Sequence, residues 1–323
     1  MRRNVNGYGA DDHSLALRAA WLHYVGGLTQ AAVARKLKLT SVKTHRLIAR
    51  AVADGAVKFS IDGDIVECLE LEAALAKRYG LSVCEVTPDL AESGLPLRAL
   101  GLAGASYLAR LIDRSAGHMI GLGHGRTLAA VVNELAQRTA SNVRFVSLLG
   151  GLTRHYAANP HDVMHRIAQR TDAPAHVMPV PFCANSPDDR SVLLSQHGVS
   201  EVFAMAQTAP IKLVGIGTVD DDAQLLRAGM IEDADLAEII DAGAVGELLG
   251  HFFDVHGGRI ATALDGRTLA VSLAECGDDQ LVAIAGGIDK TESIAAVLQS
   301  GSLTGLIIDE STAREVLQRG DAR

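Results

Sequence analysis

The sequence predicts a two-part α/β protein, a small helical head over residues 1–62 and a larger parallel-sheet domain over residues 63–323. Three observations carry that prediction. Positive charge is concentrated at the N-terminus, three short helical patterns with clear punctuation follow there, and beyond them nearly continuous apolar runs alternate with amphipathic stretches. Strands that are apolar on both sides need helices on both faces of their sheet, which is the parallel α/β arrangement.

Leu15–Val25 has the apolar density of a helix and ends at Gly26-Gly27. Thr29 is an N-cap for Gln30–Leu37, a short alanine-rich helix against which another helix can pack closely. Lys38-Leu39-Thr40 makes a three-residue turn, and a third helix runs from Ser41 to Asp54, stopped by Gly55. At about 100° per residue, Thr44, Leu47, Ile48 and Ala51 share one face of that third helix. Val42, Arg46, Ala49, Arg50 and Ala53 share the other, with Lys43 at its margin. One packing face and one free face are what a major-groove recognition helix requires. Arg46 is suited to a bidentate contact with guanine, and Lys43 and Arg50 to phosphates, whereas His45 and Ser41 fit either role. The candidate DNA contacts are therefore Thr29, Gln30, Thr40, Ser41, Val42, Lys43, His45, Arg46 and Arg50. Val57–Ile61, followed by Asp62-Gly63-Asp64, reads as a short hairpin or wing.

Charge supports the same partner. Overall the 323 residues carry −8, but residues 1–58 hold ten Lys/Arg against three acids, a net of +7, leaving −15 for the rest. A basic head on an acidic body is the electrostatic footprint of a DNA reader, because neutralising phosphates supplies much of the affinity. The competing reading, a solvated basic tail, fits the patterned sequence less well. No apolar run approaches the roughly 18 residues of a membrane span, and the N-terminal arginines precede no apolar signal core. Cys68, Cys84, Cys183 and Cys276 are scattered and match no zinc spacing, so a cytoplasmic protein with small buried thiols is expected. His161 and His165 have a helical metal-ligand spacing but no third ligand, and no metal or cofactor is expected.

In the body, Glu70–Tyr79 reads as a linker helix. Strands are expected at Ser82–Val86, Met119–Leu122, Val143–Leu149, Ala175–Val180, Lys212–Ile216, Leu281–Ala285 and Leu303–Ile308. Helices are expected at Leu97–Asp113, Arg126–Arg138, His161–Arg170, Ala234–Ala242, Lys290–Gln299 and Thr312–Gln318. Ligands of such sheets bind at the carboxyl ends of the strands, and glycine-rich turns sit there. Gly121-Leu-Gly123-His124-Gly125-Arg126-Thr127 links a strand to a helix, where backbone amides and the helix N-terminus favour an anion. Glycines in such turns also serve packing alone, and the motif is neither a Walker loop nor a dinucleotide fingerprint. Gly286-Gly287-Ile-Asp-Lys290, Gly215-Ile-Gly217-Thr218 and Gly150-Gly151 end other strands. Glu247 and Asp254 are candidates for binding sugar hydroxyls, or else loop and cap residues. Lys290 also leaves open a different class of protein, a sugar-phosphate isomerase or aldolase-like enzyme with a DNA-binding appendage.

Several stretches taken in order resemble one family. They are Leu28-Thr29-Gln30-Ala-Ala-Val-Ala-Arg-Lys-Leu37 with Arg46-Leu-Ile48; Gly121-Leu-Gly-His-Gly-Arg-Thr-Leu128; Gly243-Ala-Val-Gly-Glu247 with Phe253-Asp254; and Val282–Lys290 with Ile307–Ala313. From about Leu15 to Leu317 the chain resembles the SorC family of bacterial sugar-responsive transcriptional regulators, and within it regulators of erythritol or related polyol catabolism. The resemblance implies a Rossmann-like effector domain related to sugar-phosphate isomerases, without catalysis. Its implied partners are operator DNA and a small sugar, polyol or sugar-phosphate, in a homotetramer or dimer. By position, Gly121, Gly123, Gly125, Arg126, Thr127 and Lys290 would surround the effector's phosphate or equivalent polar end, with Glu247 and Asp254 near its hydroxyls; the glycine-rich strand ends add His124, Gly151, Gly217, Thr218, Gly286 and Gly287 as further candidate effector contacts. Three departures stand out. Lys38 holds a turn position where the family often has glycine, which requires the turn to be unstrained. Thr44 replaces an aliphatic core residue, and His124 stands where tryptophan is frequent.

Overall fold

The computed structural model describes residues 7–57, 66–114, 118–155, 159, 161–273 and 280–321. The chain divides into two compact units, Met1–Gly63 and Asp64–Arg323. In the first, α1 (Gly7–Tyr24), α2 (Gln30–Leu37) and α3 (Ser41–Ala53) pack around a core of Ala16, Ala19, Ala20, Leu22, Val33, Leu47, Ile48 and Ala51. Alanines on the facing sides let the three helices approach closely. Thr29 caps α2 as expected, its Oγ1 accepting from the Ala32 amide, and Thr40, read only as a turn residue, caps α3 by accepting from the Lys43 amide, both at 3.2 Å. The wing expected at 57–64 lies, apart from Val57, outside the described residues.

Between α2 and α3 the expectation of an unstrained turn fails. Lys38 adopts a left-handed backbone, φ 56° and ψ 44°. Its amide donates to Arg35 O at 3.2 Å and that of Leu39 to Ala34 O at 2.9 Å. These are the paired bonds of a Schellman cap, which satisfies the last carbonyls of α2 at the expense of a left-handed lysine.

The second unit begins with α4 (Val66–Tyr79) and β1 (Val83–Thr87). Its first half continues through α5 (Leu97–Arg114), β2 (Met119–Leu122), α6 (Arg126–Glu134), β3 (Arg144–Ser147), α7 (Met164–Thr171) and β4 (Ala175–His176). Two consecutive helices follow, α8 (Pro187–Ser195) and α9 (His197–Gln207), then β5 (Ile211–Val214), β6 (Gly217–Thr218), α10 (Gln224–Arg227) and α11 (Asp233–Asp241). The unit ends with β7 (Gly246–Leu248), β8 (His251–Phe253), β9 (Arg259–Ile260), β10 (Gln280–Ile284), α12 (Thr291–Gln299), β11 (Gly305–Asp309) and α13 (Glu310–Asp321).

Among the described residues, seven strands form one parallel sheet in the order β1-β11-β10-β5-β2-β3-β4. Alternation along each strand divides its side chains between two cores. Ile120, Leu122, Phe145, Ile211, Leu213, Val282, Ile284 and Ile307 pack with α5, α6 and α7 on one face. Val146, Val214, Leu281, Ala283, Leu306 and Ile308 pack with α4, α9, α11, α12 and α13 on the other. Both faces are covered, as the apolar strand runs require. From β2 the chain proceeds outward to β3 and β4, whereas from the adjacent β5 it proceeds the opposite way to β10 and β11. The carboxyl ends of β2 and β5 therefore flank a topological switch point, the place where such sheets bind ligands.

Differences from expectation lie at the edges. The strand expected over Ala175–Val180 stops at His176; Pro179 and Pro181 lack amides, and their neighbours bond to Gly151 and Leu152 outside the sheet ladder. The helix expected to reach Arg138 ends at Glu134, and the one expected from His161 starts at Met164. Not anticipated at all is a second, antiparallel sheet, β6-β7-β8-β9. Its β7–β8 turn puts both Leu249 (φ 50°) and Gly250 (φ 77°) in positive φ, the geometry of a tight two-residue hairpin.

Candidate functional site

On α3, Thr44, Leu47, Ile48 and Ala51 are buried, the four residues whose spacing assigns them to the packing face. Thr44 tolerates that burial because its hydroxyl donates to Thr40 O at 3.0 Å. Ser41, Val42, His45, Arg46 and Arg50 are exposed, and Lys43 is half-buried. Val42, 80 % exposed, is an aliphatic side chain held in water at the start of the helix, as an apolar contact to a thymine methyl would need. His45 Nδ1 lies 3.2 Å from Gln30 Oε1, joining α3 to α2 across the turn. Lys43 sits 3.6 Å from Asp12 and Arg50 3.4 Å from Asp54, both solvent-exposed pairs worth well under about 1 kcal/mol. Among the described residues Arg46 makes no ion pair or hydrogen bond through its side chain.

In the second unit a cleft open to solvent lies at the switch point. The loop after β2 contributes Gly123, His124, Gly125, Arg126 and Thr127. The loop after β5 contributes Gly215 and Ile216, β6 contributes Gly217 and Thr218, β7 contributes Glu247, and the turn before α12 contributes Lys290. Leu95, Leu149, Gln224, Leu225 and Leu249 complete the walls. These five residues escaped sequence reasoning, since nothing distinguishes a leucine that lines a cleft from one that fills a core.

Helix α6 opens onto this cleft with no side-chain cap, so the amides of its first turn are unsatisfied within the helix. Gly123 is not part of that donor set, because its amide already donates to Leu213 O at 2.8 Å. Arg126, among the described residues, has no side-chain partner. Lys290 donates to Ile216 O at 2.7 Å. Burial, reinforced by Arg126, pulls the Lys290 ammonium down to about 8 despite the opposing attraction of Glu247 and Asp220. Glu247 faces the reverse problem. Burial pushes its carboxyl up to about 7, with the Gly250 amide and Lys290 only partly compensating. Its Oε1 accepts from the Gly250 amide at 2.6 Å, and a Cβ on Gly217 would stand 2.3 Å from its Oε2. The β6–β7 pairing thus needs a glycine at 217 for this carboxyl to fit.

Other expected effector residues lie elsewhere. Gly121 is inside β2, where a Cβ would meet Leu148 at 2.4 Å. Gly151 lines a smaller neighbouring cavity beside Asp162. Gly286 and Gly287 face the protein's own carboxylate: a Cβ on Gly286 would be 1.9 Å from Asp309 Oδ1, which accepts from the Gly287 amide at 3.0 Å. Asp254 organises the β8–β9 turn instead of the cleft. Its Oδ1 accepts from the His256 and Gly258 amides at 2.8 Å each, and those bonds hold it below the usual carboxylate range.

Known proteins agree with this architecture. A family model described as "Putative sugar-binding domain" matches residues 63–318. The chain is 59 % identical over 306 residues to the erythritol catabolism regulatory protein EryD of Brucella abortus (strain 2308), spanning 95 % of this chain and 97 % of that one. It is 32 % identical over 318 residues to the transcriptional regulator LsrR of Enterobacter sp. (strain 638), spanning 96 % and 95 %. The crystal structure of the full-length sorbitol operon regulator SorC from Klebsiella pneumoniae superposes with a TM-score of 0.69 at 27 % identity, covering 95 % of this chain and 99 % of that one. These relatives are transcriptional regulators, which removes the isomerase or aldolase alternative. No helix among the described residues is long and apolar enough to cross a membrane. With a three-helix head, a doubly covered parallel sheet and relatives of this kind over nearly its whole length, the chain belongs to the SorC family of transcriptional regulators that carry a sugar-binding domain.

Proposed function

We propose that the cleft binds a four-carbon polyol or a closely related sugar derivative, and that its occupancy controls binding of operator DNA by the exposed face of α3. The observation that carries the ligand reading is the uncapped N-terminus of α6, with the unpaired Arg126 and the nearby Lys290 beside it. Amides and two cations converge there on one volume, which favours an oxygen-rich or phosphorylated group. Glu247 on the far strand favours hydroxyls. The name of the Brucella relative supports erythritol or a derivative as the first compound to try. Effector binding shifts the regulator between states that present paired heads differently to operator half-sites, in a dimer or tetramer.

Thermal melting of the full chain with erythritol, erythritol 4-phosphate, sorbitol and inorganic phosphate tests the ligand side. A concentration-dependent rise with a polyol or its phosphate is expected, reduced in Arg126→Ala for the phosphorylated compound. No stabilisation by any of them would remove the reading. For the DNA side, Arg46→Ala is expected to lose specific operator binding by about tenfold or more, equivalent to the roughly 1–3 kcal/mol of a bidentate base contact, while keeping effector stabilisation. Full operator affinity in that variant would count against α3 as the reading helix.

A further inference from the structure

His124 lies at the junction of the cleft and the smaller cavity lined by Ser147, Gly151, Asn159 and Asp162. Its ring meets Phe182 edge-on, with centroids 6.3 Å apart. Its hydrogen bonding defines which nitrogen carries the proton. The His161 main-chain amide donates to Asn159 Oδ1 at 2.9 Å. A backbone amide can only donate, so that end of the Asn159 side chain is the carbonyl, and the other end is the NH₂ group. That NH₂ group lies 3.0 Å from His124 Nδ1. It can only donate, so Nδ1 accepts and carries no proton. A neutral imidazole with a bare Nδ1 holds its proton on Nε2. Burial, with the neighbouring His161, independently favours the neutral ring by pulling His124 down to about 4. Among the described residues the ring makes no second hydrogen bond, and Nε2 is not among the buried polar atoms without a partner. Nε2 is therefore not sealed inside the protein, on a residue that lines both the cleft and the smaller cavity.

We propose that His124 is a specificity-determining residue that donates a hydrogen bond from Nε2 to an acceptor oxygen of the effector, and that Asn159 is the positioning residue that holds this tautomer. The proposal rests on the reading of the cleft as the effector site and adds to it a direction. His124, Arg126, Thr127 and Lys290 then form a donor wall, and Glu247 offers the carboxyl opposite in chemical kind. A phosphoryl, carboxylate or carbonyl oxygen satisfies His124, and so does the lone pair of a hydroxyl. A donor-only group such as an ammonium leaves it unmatched. The sequence marks His124 as the departure within its motif, but the partner that sets its proton is 35 residues away, in a loop with no motif of its own.

Histidine-selective ¹⁵N labelling of the full chain tests the proton position directly, because protonated and bare ring nitrogens resonate far apart. His124 is assigned by its disappearance in His124→Phe. In the wild type a bare Nδ1 and a protonated Nε2 are expected. In Asn159→Asp the new carboxylate accepts from Nδ1, so Nδ1 becomes protonated. Binding is then measured for erythritol, erythritol 4-phosphate and inorganic phosphate. Whichever probe the wild type binds is expected to bind about tenfold or more weakly to Asn159→Asp and to His124→Phe. A wild-type His124 protonated on Nδ1 overturns the proposal whatever the binding data. The expected tautomer with unchanged affinity in both variants overturns the donor role alone. Failure of the wild type to bind any probe overturns the cleft reading, and is separable because the tautomer measurement needs no ligand.

Discussion

Glu247 puts a carboxyl where its charge is costly, so replacing it has a consequence that depends on pH. Burial displaces it from 4.5 to about 7. At about 1.4 kcal/mol per pH unit, that displacement corresponds to about 3 kcal/mol between the protonated and ionised forms of the folded state. The native carboxyl keeps its proton between pH 4.5 and about 7, while the unfolded chain has already released it. The native state therefore binds more protons in that window, and the contribution of this group to stability falls as pH rises through it. Above pH 7 the loss is complete. Below 4.5 it vanishes.

Glu247→Gln removes the ionisation while keeping an oxygen to accept from the Gly250 amide, which now lies 2.6 Å from Oε1. At pH 5 the variant should be nearly as stable as the wild type. At pH 8 it should be more stable by about 2–3 kcal/mol, the displacement to about 7 already including the attraction between Glu247 and Lys290. For a domain of this size, roughly 2–4 °C per kcal/mol gives a rise of about 4–12 °C in the main melting transition. The assay is thermal or urea denaturation of both proteins at a series of pH values, without effector. Parallel curves, with no gain for Gln at high pH, would refute a proton-retaining carboxyl at this position. The same variant should bind a polyol more weakly, since a half-ionised acceptor is exchanged for a neutral amide.

Two further outcomes follow from charge and backbone geometry. Lys38→Gly should stabilise the head by about 0.5–1 kcal/mol, because relief of the left-handed lysine outweighs the added freedom of glycine in the unfolded chain. Slower hydrogen exchange of the Leu39 amide, which closes the cap, is the measurement, and unchanged or faster exchange would contradict it. Asp235 sits between Arg267, at 2.6 Å, and Arg154, at 3.3 Å. Burial opposes its ionisation, but the Glu232 amide and Arg267 outweigh that and hold it below the usual carboxylate range. Asp235→Ala leaves two largely buried guanidinium groups short of a counterion and should cost about 3–5 kcal/mol in urea denaturation. A loss below about 1 kcal/mol would mean that Glu232, 3.2 Å from Arg154, already suffices.

Legibility in the sequence followed element length. The two short helices of the head were readable almost to the residue, because Thr29 marks the start of one and the buried positions of the other repeat at helical spacing, whereas α1, expected from Leu15, begins at Gly7. The seven-stranded sheet was readable because its central strands are mostly apolar, β5 being interrupted only by Lys212. The antiparallel sheet was not, because β6, β7, β8 and β9 are two or three residues long and include Gly217, Glu247 and Arg259. Such segments are shorter than any hydrophobic period, and pairing between them is set by tertiary contacts. As a result Glu247 read either as a hydroxyl-binding group or as a loop or cap residue, and the strand that holds it against Gly217 went unseen. Helices α8 and α9 were also passed over, despite the cap at Ser186 and the proline that follows it.

Glycine-rich strand ends explain why the sequence pointed to the cleft without delimiting it. A glycine required for a close approach looks the same in sequence whether the approaching atom belongs to a ligand or to the protein. At Gly150 the space is taken by Pro181 O, 2.3 Å from a built Cβ; at Gly217 by Glu247; at Gly286 by Asp309. Around Gly125 nothing comes within 4 Å, and at Gly123 and Gly215 the nearest atoms are 3.5 and 3.8 Å away. These three glycines end or follow β2 and β5, the two strands that flank the switch point. Topology, through the direction in which the chain leaves each strand, decides which strand ends stay open. The polar side chains that line the opening stand beside the unfilled glycines, His124, Arg126, Thr127 and Thr218, with Glu247 and Lys290 reaching in from neighbouring elements.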